Sequence, residues 1–370
     1  MTKKTIVVSA VNLLEAGTLA ILRECLQYLS AFNKAQQYRI VAIVYDRNLA
    51  LFPNIEYIET KWPKKRWVNR LWYEYVSMRK ISKELAPVYL WLSLHDTTPN
   101  VIAERRAVYC HNAYSFYKWK LHDLIFAPKI ALFALFTKYI YKPNIHKNRY
   151  LIVQQQWFRT ALSTMFDIDE AKIIVAKPGQ PLTLKSESSN LFDDYSFVFA
   201  GSPNSHKNFE VICQAVELLE KEGITDFDAY ITVEGSENKY AKWLKKKWGH
   251  LKCLNFLGFL PKDKLIEYYQ KSHCLIFPSK VESWGLPISE FATYDKPMLL
   301  ADLPYTYETS AGAVQVSFFD PESAEELAFK MKKLITGDYS FLKAQPKIEY
   351  AEPKADTWAE LFNLLLTDKK

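Results

Sequence analysis

Ile276-Phe277-Pro278-Ser279-Lys280-Val281-Glu282-Ser283-Trp284-Gly285-Leu286-Pro287-Ile288-Ser289-Glu290 runs from an apolar stretch through a short polar loop to a segment opened by proline. The apolar end reads as a buried strand, and Pro287 sits where a first helical residue is favoured, so the order is strand, loop, helix. Gly285 lets the backbone turn sharply and approach a ligand closely. The amides of Gly285 to Ile288 then stand at a helix N-terminus, a place for anions, hydroxyls and phosphate oxygens. Glu282 lies just before that point and Glu290 in the first turn beyond it. Two carboxylates beside one cluster of donors suit the vicinal hydroxyls of a hexose and a ribose. For Glu290 a second reading stays open, because an acid in a first turn suits the helix dipole without any ligand.

Working outward, strand and helix signals alternate on both sides of this string. Strands are expected at Thr5–Val11, Tyr38–Tyr45, Val88–Leu94, Arg106–Cys110 and Tyr150–Gln154. A helix from Leu19 to Phe32 carries Leu19, Leu22, Leu26 and Leu29 at helical spacing. A linker is expected at Lys177-Pro178-Gly179-Gln180-Pro181, continuing through the polar run Lys185–Asn190. The pattern then restarts with strands at Ser196–Ala200, Ala229–Val233, Cys253–Phe256 and Cys274–Phe277. Helices fall at Asn208–Glu222, at Lys262–Gln270, from Pro287, and at Asp356–Leu366. Such alternation implies α/β units with covered parallel sheets, and a chain of 370 residues accommodates two of them. Ligands of these sheets lie at the carboxyl ends of the strands.

Composition excludes several classes. Apolar residues make up 49% and charged residues 24%, which fits a globular protein rather than a disordered one. The net charge of +7 permits a basic patch without choosing among phosphates, lipid and nucleic acid. Five cysteines, scattered and odd in number, argue against a disulfide framework or structural zinc and read as buried thiols of a cytosolic protein. The N-terminal apolar stretch is too short for a signal peptide and reads as a first strand. No stretch is apolar for long enough to span a bilayer.

A second strand-to-helix junction, Phe199-Ala200-Gly201-Ser202-Pro203-Asn204-Ser205-His206-Lys207-Asn208, combines a glycine, a polar loop and a cation at a helix entry. That suits a phosphate group or another anion, held by amides and by the Lys207 charge. Further loops are Glu234-Gly235, and Gly258-Phe259-Leu260 after the strand ending at Phe256. In the first half, Gly17 and Thr18 open a helix, where a helix-entry glycine and a ligand contact are equally good readings. Tyr109-Cys110-His111-Asn112 follows a strand. His111 there is either a capping or core histidine or a ligand-facing one, with His95-Asp96 as a similar pair.

The string Glu282–Glu290 resembles the E-x7-E signature of family 4 retaining glycosyltransferases, commonly E-x-F-G-L-x-x-x-E, with Trp284 in the aromatic place. The resemblance implies an α/β GT-B fold, two Rossmann-like domains with parallel sheets facing across a cleft. Residues 1–178 would form the acceptor-side domain and 179–350 the nucleotide-sugar-binding domain. Residues 351–370 would carry a helix crossing back to the first domain. It further implies transfer of a sugar from a nucleoside-diphosphate sugar, with no metal or other cofactor. His111, Lys207 and Glu282 become the candidate catalytic residues. Donor contacts are implied for Gly17, Gly201, Ser202, Lys207, Asn208, Glu234, Gly258, Phe259, Leu260, Glu282, Ser283, Trp284, Gly285, Leu286, Pro287 and Glu290. Ser202 stands where the family has a phosphate-binding arginine. Either Arg105, Arg106 or Lys177 substitutes for it, or backbone amides hold the phosphate.

Two basic-aromatic stretches remain, Trp62–Tyr73 and residues 114–149. They suit an anionic bilayer surface, or a buried helix with lysines snorkelling at its edge. Single-stranded nucleic acid is the weaker fit, because no recognition motif accompanies them. Together with the resemblance, this points to a cytoplasmic enzyme at the inner membrane face that builds lipopolysaccharide O-antigen, capsule or exopolysaccharide on a glycan or lipid-linked acceptor. A sugar-nucleotide epimerase or hydrolase, or a non-catalytic carbohydrate-binding protein, is the alternative.

Overall fold

The computed structural model describes residues 3–14, 16–33, 35–179 and 191–367. The expected linker's Gln180 and Pro181 and the polar run Lys185–Asn190 lie outside the described residues. The chain divides into two compact units. One comprises 1–113, 136–179 and 350–370, and the other 114–135 and 180–349.

The first unit is built on an eight-stranded, wholly parallel sheet. Its strands are β1 (Lys4–Ser9), β2 (Tyr38–Val44), β3 (Glu56–Glu59), β4 (Val88–Ser93), β5 (Arg105–Tyr109), β6 (Tyr150–Val153), β7 (Ile173–Ala176) and β14 (Lys354–Ala355). They lie in the order β14-β7-β6-β5-β4-β1-β2-β3. The central strands are buried along their whole length, as β4 is, because helices cover both faces of the sheet. Helix Ala16–Phe32 packs its Leu22, Leu26 and Leu29 onto one face. The returning C-terminal helix Trp358–Leu366 adds Leu361, Phe362 and Leu365 to the same core.

The second unit carries a six-stranded parallel sheet in the order β10-β9-β8-β11-β12-β13. Its strands are β8 (Tyr195–Phe199), β9 (Phe227–Ile231), β10 (Leu254–Phe256), β11 (Cys274–Phe277), β12 (Met298–Ala301) and β13 (Val316–Phe319). Winding runs from β8 outward to β9 and β10 on one side, then returns to β11 and runs the other way. The order therefore reverses between β8 and β11. The carboxyl ends of strands at such a reversal diverge and leave a crevice in which α/β sheets bind ligands. Both sequence motifs leave the sheet here, one from β8 and the other from β11.

Residues 114–135 depart from the expected boundary, because they belong to the second unit although residues on either side belong to the first. Helix Leu121–Phe126 sets Phe126 and His122 against Trp243, with ring centroids 5.0 and 5.2 Å apart. All five cysteines are buried and unpaired. No helix among the described residues is long and apolar enough to cross a membrane.

Candidate active site

The two loops at the β8/β11 reversal are stitched together by backbone and amide hydrogen bonds. Asn208 adopts a left-handed conformation, φ 59°, that asparagine tolerates better than most residues. Its Nδ2 donates to the carbonyls of Pro278 and Pro321, at 3.2 and 2.7 Å. The Lys280 amide donates to the His206 carbonyl at 2.7 Å. This brings together residues 75 apart in sequence: Lys207 Nζ lies 2.5 Å from Glu282 Oε1. Each side chain of that pair is less than a fifth exposed, at 18% and 17%. A cation and a carboxylate thus meet, partly screened from water, at the mouth of the crevice.

Gly285 sits at φ 90° as the N-cap of helix Leu286–Ala292. A side chain there would meet Ile288, Phe277 and Tyr305 at 3.3 to 3.5 Å, so both conformation and space require glycine. Of the amides expected to point outward, Pro287 has none and that of Ile288 donates to the Gly285 carbonyl. Only those of Gly285 and Leu286 are left to act as donors. The loop is braced from behind. Tyr305 donates to the Ser279 carbonyl at 2.6 Å, Thr309 Oγ1 to the Trp284 carbonyl, and the Trp284 indole to Ser289 Oγ at 3.2 Å. Ser283 is half-buried between Glu282 and Trp284. Glu290 is mostly buried, and burial raises its pKa against the opposing effect of Lys262. Its carboxylate has no hydrogen-bond partner among the described residues, which leaves its acceptors available to a ligand.

Two assignments on the β8 side change. The amide of Gly201 donates to Thr232 Oγ1 at 2.9 Å, and Thr232 returns a hydrogen bond to its carbonyl. Gly201 therefore offers space for the Lys207 stem, whose Cδ lies 3.6 Å from a built Cβ, rather than an amide for phosphate. Asn208 is 1% exposed and committed to its two carbonyls, so it holds the loops and does not face a donor. His206 is likewise buried, its Nε2 3.3 Å from the Tyr114 hydroxyl, and burial together with Lys207 drives its pKa well down. Ser202 is exposed and accepts from Asn204 at 2.9 Å.

Neighbouring loops complete the wall. The amides of Glu234 and Gly235 both donate to the Glu237 carboxylate at 2.8 Å, and Asn238 donates to the Pro203 carbonyl at 2.6 Å. Gly258, at φ 73°, backs onto the Glu234 side chain. Beyond it, Phe259 is 88% exposed and Leu260 half-buried.

Gly17 and His111 belong to the first unit, Gly17 in the first turn of Ala16–Phe32. His111 stacks on Tyr109 at 4.3 Å, and its Nε2 lies 3.1 Å from the Leu94 carbonyl, which fixes that nitrogen as the donor. Burial lowers its pKa to about 4, and Nδ1 is buried without a partner. The residue itself is half-buried, with one ring nitrogen committed to a carbonyl and the other enclosed. Of the three bases considered as replacements for the missing arginine, two are occupied. Arg105 donates to the Leu365 carbonyl and stacks on Tyr89, and Lys177 pairs with Asp356 at 3.8 Å. Arg106, half-buried in β5, lies in the first unit too.

Two residues escaped the sequence reading. Glu210, buried in the first turn of helix Phe209–Lys221, accepts from Tyr240 and faces Lys280 at 3.7 Å; burial raises its pKa to about 7. Lys280 also reaches Glu322 at 3.4 Å, and Glu322 pairs with Lys120 at 2.7 Å. Lys280 stands inside the quoted string, but only the fold shows that it serves the loop beneath Lys207.

Residues 184–369, half of the chain, match the profile described as Glycosyl transferases group 1. The chain belongs to this family. Among its relatives, the serotype-specific mannosyltransferase WbdA of Escherichia coli is 28% identical over 137 residues, covering 36% of this chain and 16% of WbdA. The O-antigen chain mannosyltransferase RfbU of Salmonella typhimurium is 21% identical over 223 residues, covering 58% of this chain and 60% of RfbU. The matched stretches thus span less than two thirds of either relative. Among solved structures, WaaG, a glycosyltransferase involved in lipopolysaccharide biosynthesis, superposes with a TM-score of 0.63 at 13% identity, over 90% of each chain. The two parallel-sheet units of this group 1 member are those of the GT-B fold.

Proposed function

We propose that the protein is a retaining glycosyltransferase that moves a sugar from a nucleoside-diphosphate sugar to an acceptor hydroxyl. The observation that carries this reading is the meeting of Lys207 with Glu282 at the β8/β11 reversal, inside the family's own stretch of sequence. In the reaction the bond between the sugar's anomeric carbon and the diphosphate oxygen breaks. The acceptor oxygen bonds to that carbon on the same face, and its proton passes to the departing diphosphate. Such chemistry needs positioning and charge stabilisation more than an additional nucleophile. Lys207, released from Glu282, faces the diphosphate, with the Gly285 and Leu286 amides beside it. Glu282 turns to the sugar hydroxyls and Glu290 to the ribose, while the loops at Glu234 and Gly258–Leu260 border the base. The protein supplies this charge without a metal ion, so turnover persists in a chelator.

The relative that carries O-antigen in its name, RfbU, supports a role in polysaccharide assembly, with a lipid-linked glycan as acceptor at the cytoplasmic face of a membrane. The test is incubation with a panel of nucleotide sugars, with and without glycan acceptors, and the product anomer read by NMR. An α-linked product from an α-linked donor is expected. Donor consumption that ignores the acceptor would assign the protein to epimerases or hydrolases instead.

A further inference from the structure

A cavity of about 490 Å³ opens in the first unit, between helix Ala16–Phe32 and the returning C-terminal segment. Its size is that of a small-molecule site. Every residue that lines it belongs to this unit. It reaches Tyr109, Ala176 and Ala355, the last residues of β5, β7 and β14, and so lies at the carboxyl edge of the parallel sheet, where such sheets hold ligands. The floor is apolar, with Ile21 and Leu361 buried. Tyr28 and Trp358 are half-buried at its walls, and both pack against Phe362, at 5.4 and 6.1 Å between ring centroids. Rings already held in this way offer a flat contact surface with little entropy left to lose.

The polar groups of the cavity are few and mixed in kind. The Trp358 indole donates to Glu24 Oε2 at 3.3 Å, while Glu24 Oε1 has no hydrogen-bond partner among the described residues. Gly179 leaves that carboxylate room, since a Cβ there would stand 3.4 Å from Oε2. Asp356 pairs with Lys177 at 3.8 Å, a loose contact that a ligand can exchange. Two acids and one base leave a negative balance, which disfavours a phosphate or a uronate. Covering the same charges with hydrocarbon would strip their water without replacing it, which disfavours a lipid chain. A neutral pyranose meets both demands. Its C–H face suits the rings of Trp358 and Tyr28, and its hydroxyls donate to carboxylates. They also accept from Lys177 and from the first amides of helix Trp358–Leu366, which lack intrahelical acceptors.

We propose that this cavity binds an uncharged glycan through Glu24, Tyr28 and Trp358, and that the glycan is a stretch of the acceptor. The second clause rests on the transferase reading, although binding is measurable without turnover. The experiment is calorimetric titration of the full chain with lactose, maltose and mannobiose, and with a uronic-acid disaccharide and farnesyl phosphate beside them. One of the neutral disaccharides should bind one to one, and the two anionic probes should not. Glu24→Gln exchanges a charged acceptor for a neutral one and should weaken binding about tenfold. Trp358→Leu should weaken it at least as far, through loss of the stacking face. Glu282→Gln, a change in the second unit, should bind the disaccharide as the wild type does. Circular dichroism and melting show which variants fold, and if Trp358→Leu loosens its helix, Glu24→Gln decides alone. No binding of any neutral disaccharide, tighter binding of either anionic probe, or equal binding by wild type and Glu24→Gln would overturn the proposal. So would loss of binding in Glu282→Gln, since the sugar would then sit in the β8/β11 crevice. Transfer is scored separately. Its absence beside intact disaccharide binding sinks the transferase reading and leaves the binding site standing.

Discussion

At the scale of single residues, Glu282 and Glu290 share a string but occupy different settings. Glu282 is held by Lys207, so a donor must exchange that ion pair for contacts of its own. Glu290 has no such partner to give up. The two should therefore separate kinetically. Glu282→Gln removes a charge that matters most as the sugar bond breaks and should lower kcat by about two orders of magnitude or more. Glu290→Gln weakens a charge-assisted hydrogen bond present from binding onward. It should raise the donor KM about tenfold with a smaller change in kcat. Lys207→Met should resemble Glu282→Gln, and the double variant should lose far less than the product of the two effects, because the pair acts as a unit. Steady-state kinetics on the three variants decides this. Independent, multiplying losses would show that Lys207 and Glu282 serve unconnected tasks.

At the scale of elements, the entry to helix Phe209–Lys221 holds a titratable device beneath the catalytic loop. Burial raises the Glu210 pKa to about 7, with Lys280 opposing and Asp123 and Glu322 adding to the rise. An acid whose folded pKa exceeds its unfolded one makes the folded state bind more protons. Its contribution is full below the unfolded value of 4.5 and is lost as the pH rises through about 7. Glu210→Gln mimics the protonated form and leaves Lys280 with Glu322. The variant should melt at a higher temperature than wild type at pH 8, with the difference closing toward pH 4.5. A difference that is constant with pH would place the ionisation elsewhere. Little of this device was legible beforehand. β1, β2, β4, β8 and β11 announce themselves as apolar runs and fall within one or two residues of expectation. β3 (Glu-Tyr-Ile-Glu) and the two-residue β14 were missed as edge strands with polar or minimal sequence, and β7, β12 and β13 were missed as well, because apolar runs of four residues are too short to show a period of their own. The motifs marked the loops, but not that the Gly201 amide goes to Thr232 or that Asn208 is a brace. Those facts depend on partners 31 to 113 residues away, which no local spacing encodes.

At the scale of the whole molecule, neither unit is a continuous piece of chain. The second takes 114–135 from within the first, and the first takes back 350–370. That second loan is large in energetic terms. β14 extends the first sheet beside β7, and Leu361, Phe362 and Leu365 are each at most 2% exposed in its core. Burial of three such side chains contributes roughly 5–9 kcal/mol, comparable with the whole stability of an ordinary domain, about 5–15 kcal/mol. Arg159, itself 2% exposed, donates to the carbonyls of Ala351 and Glu352 at 2.8 and 2.7 Å and would keep only its contacts to Glu170 and Gln156 without them. The Tyr89 hydroxyl would likewise lose the Leu366 carbonyl. A chain ending at Glu349 should therefore leave the first unit unfolded or aggregating while the second keeps its sheet. Calorimetry should show one transition missing and the surviving one still raised by the nucleoside diphosphate of whichever donor the panel selects. A truncated chain melting within a few degrees of the full one would mean that the C-terminal segment is an accessory to the first unit's core and not part of it.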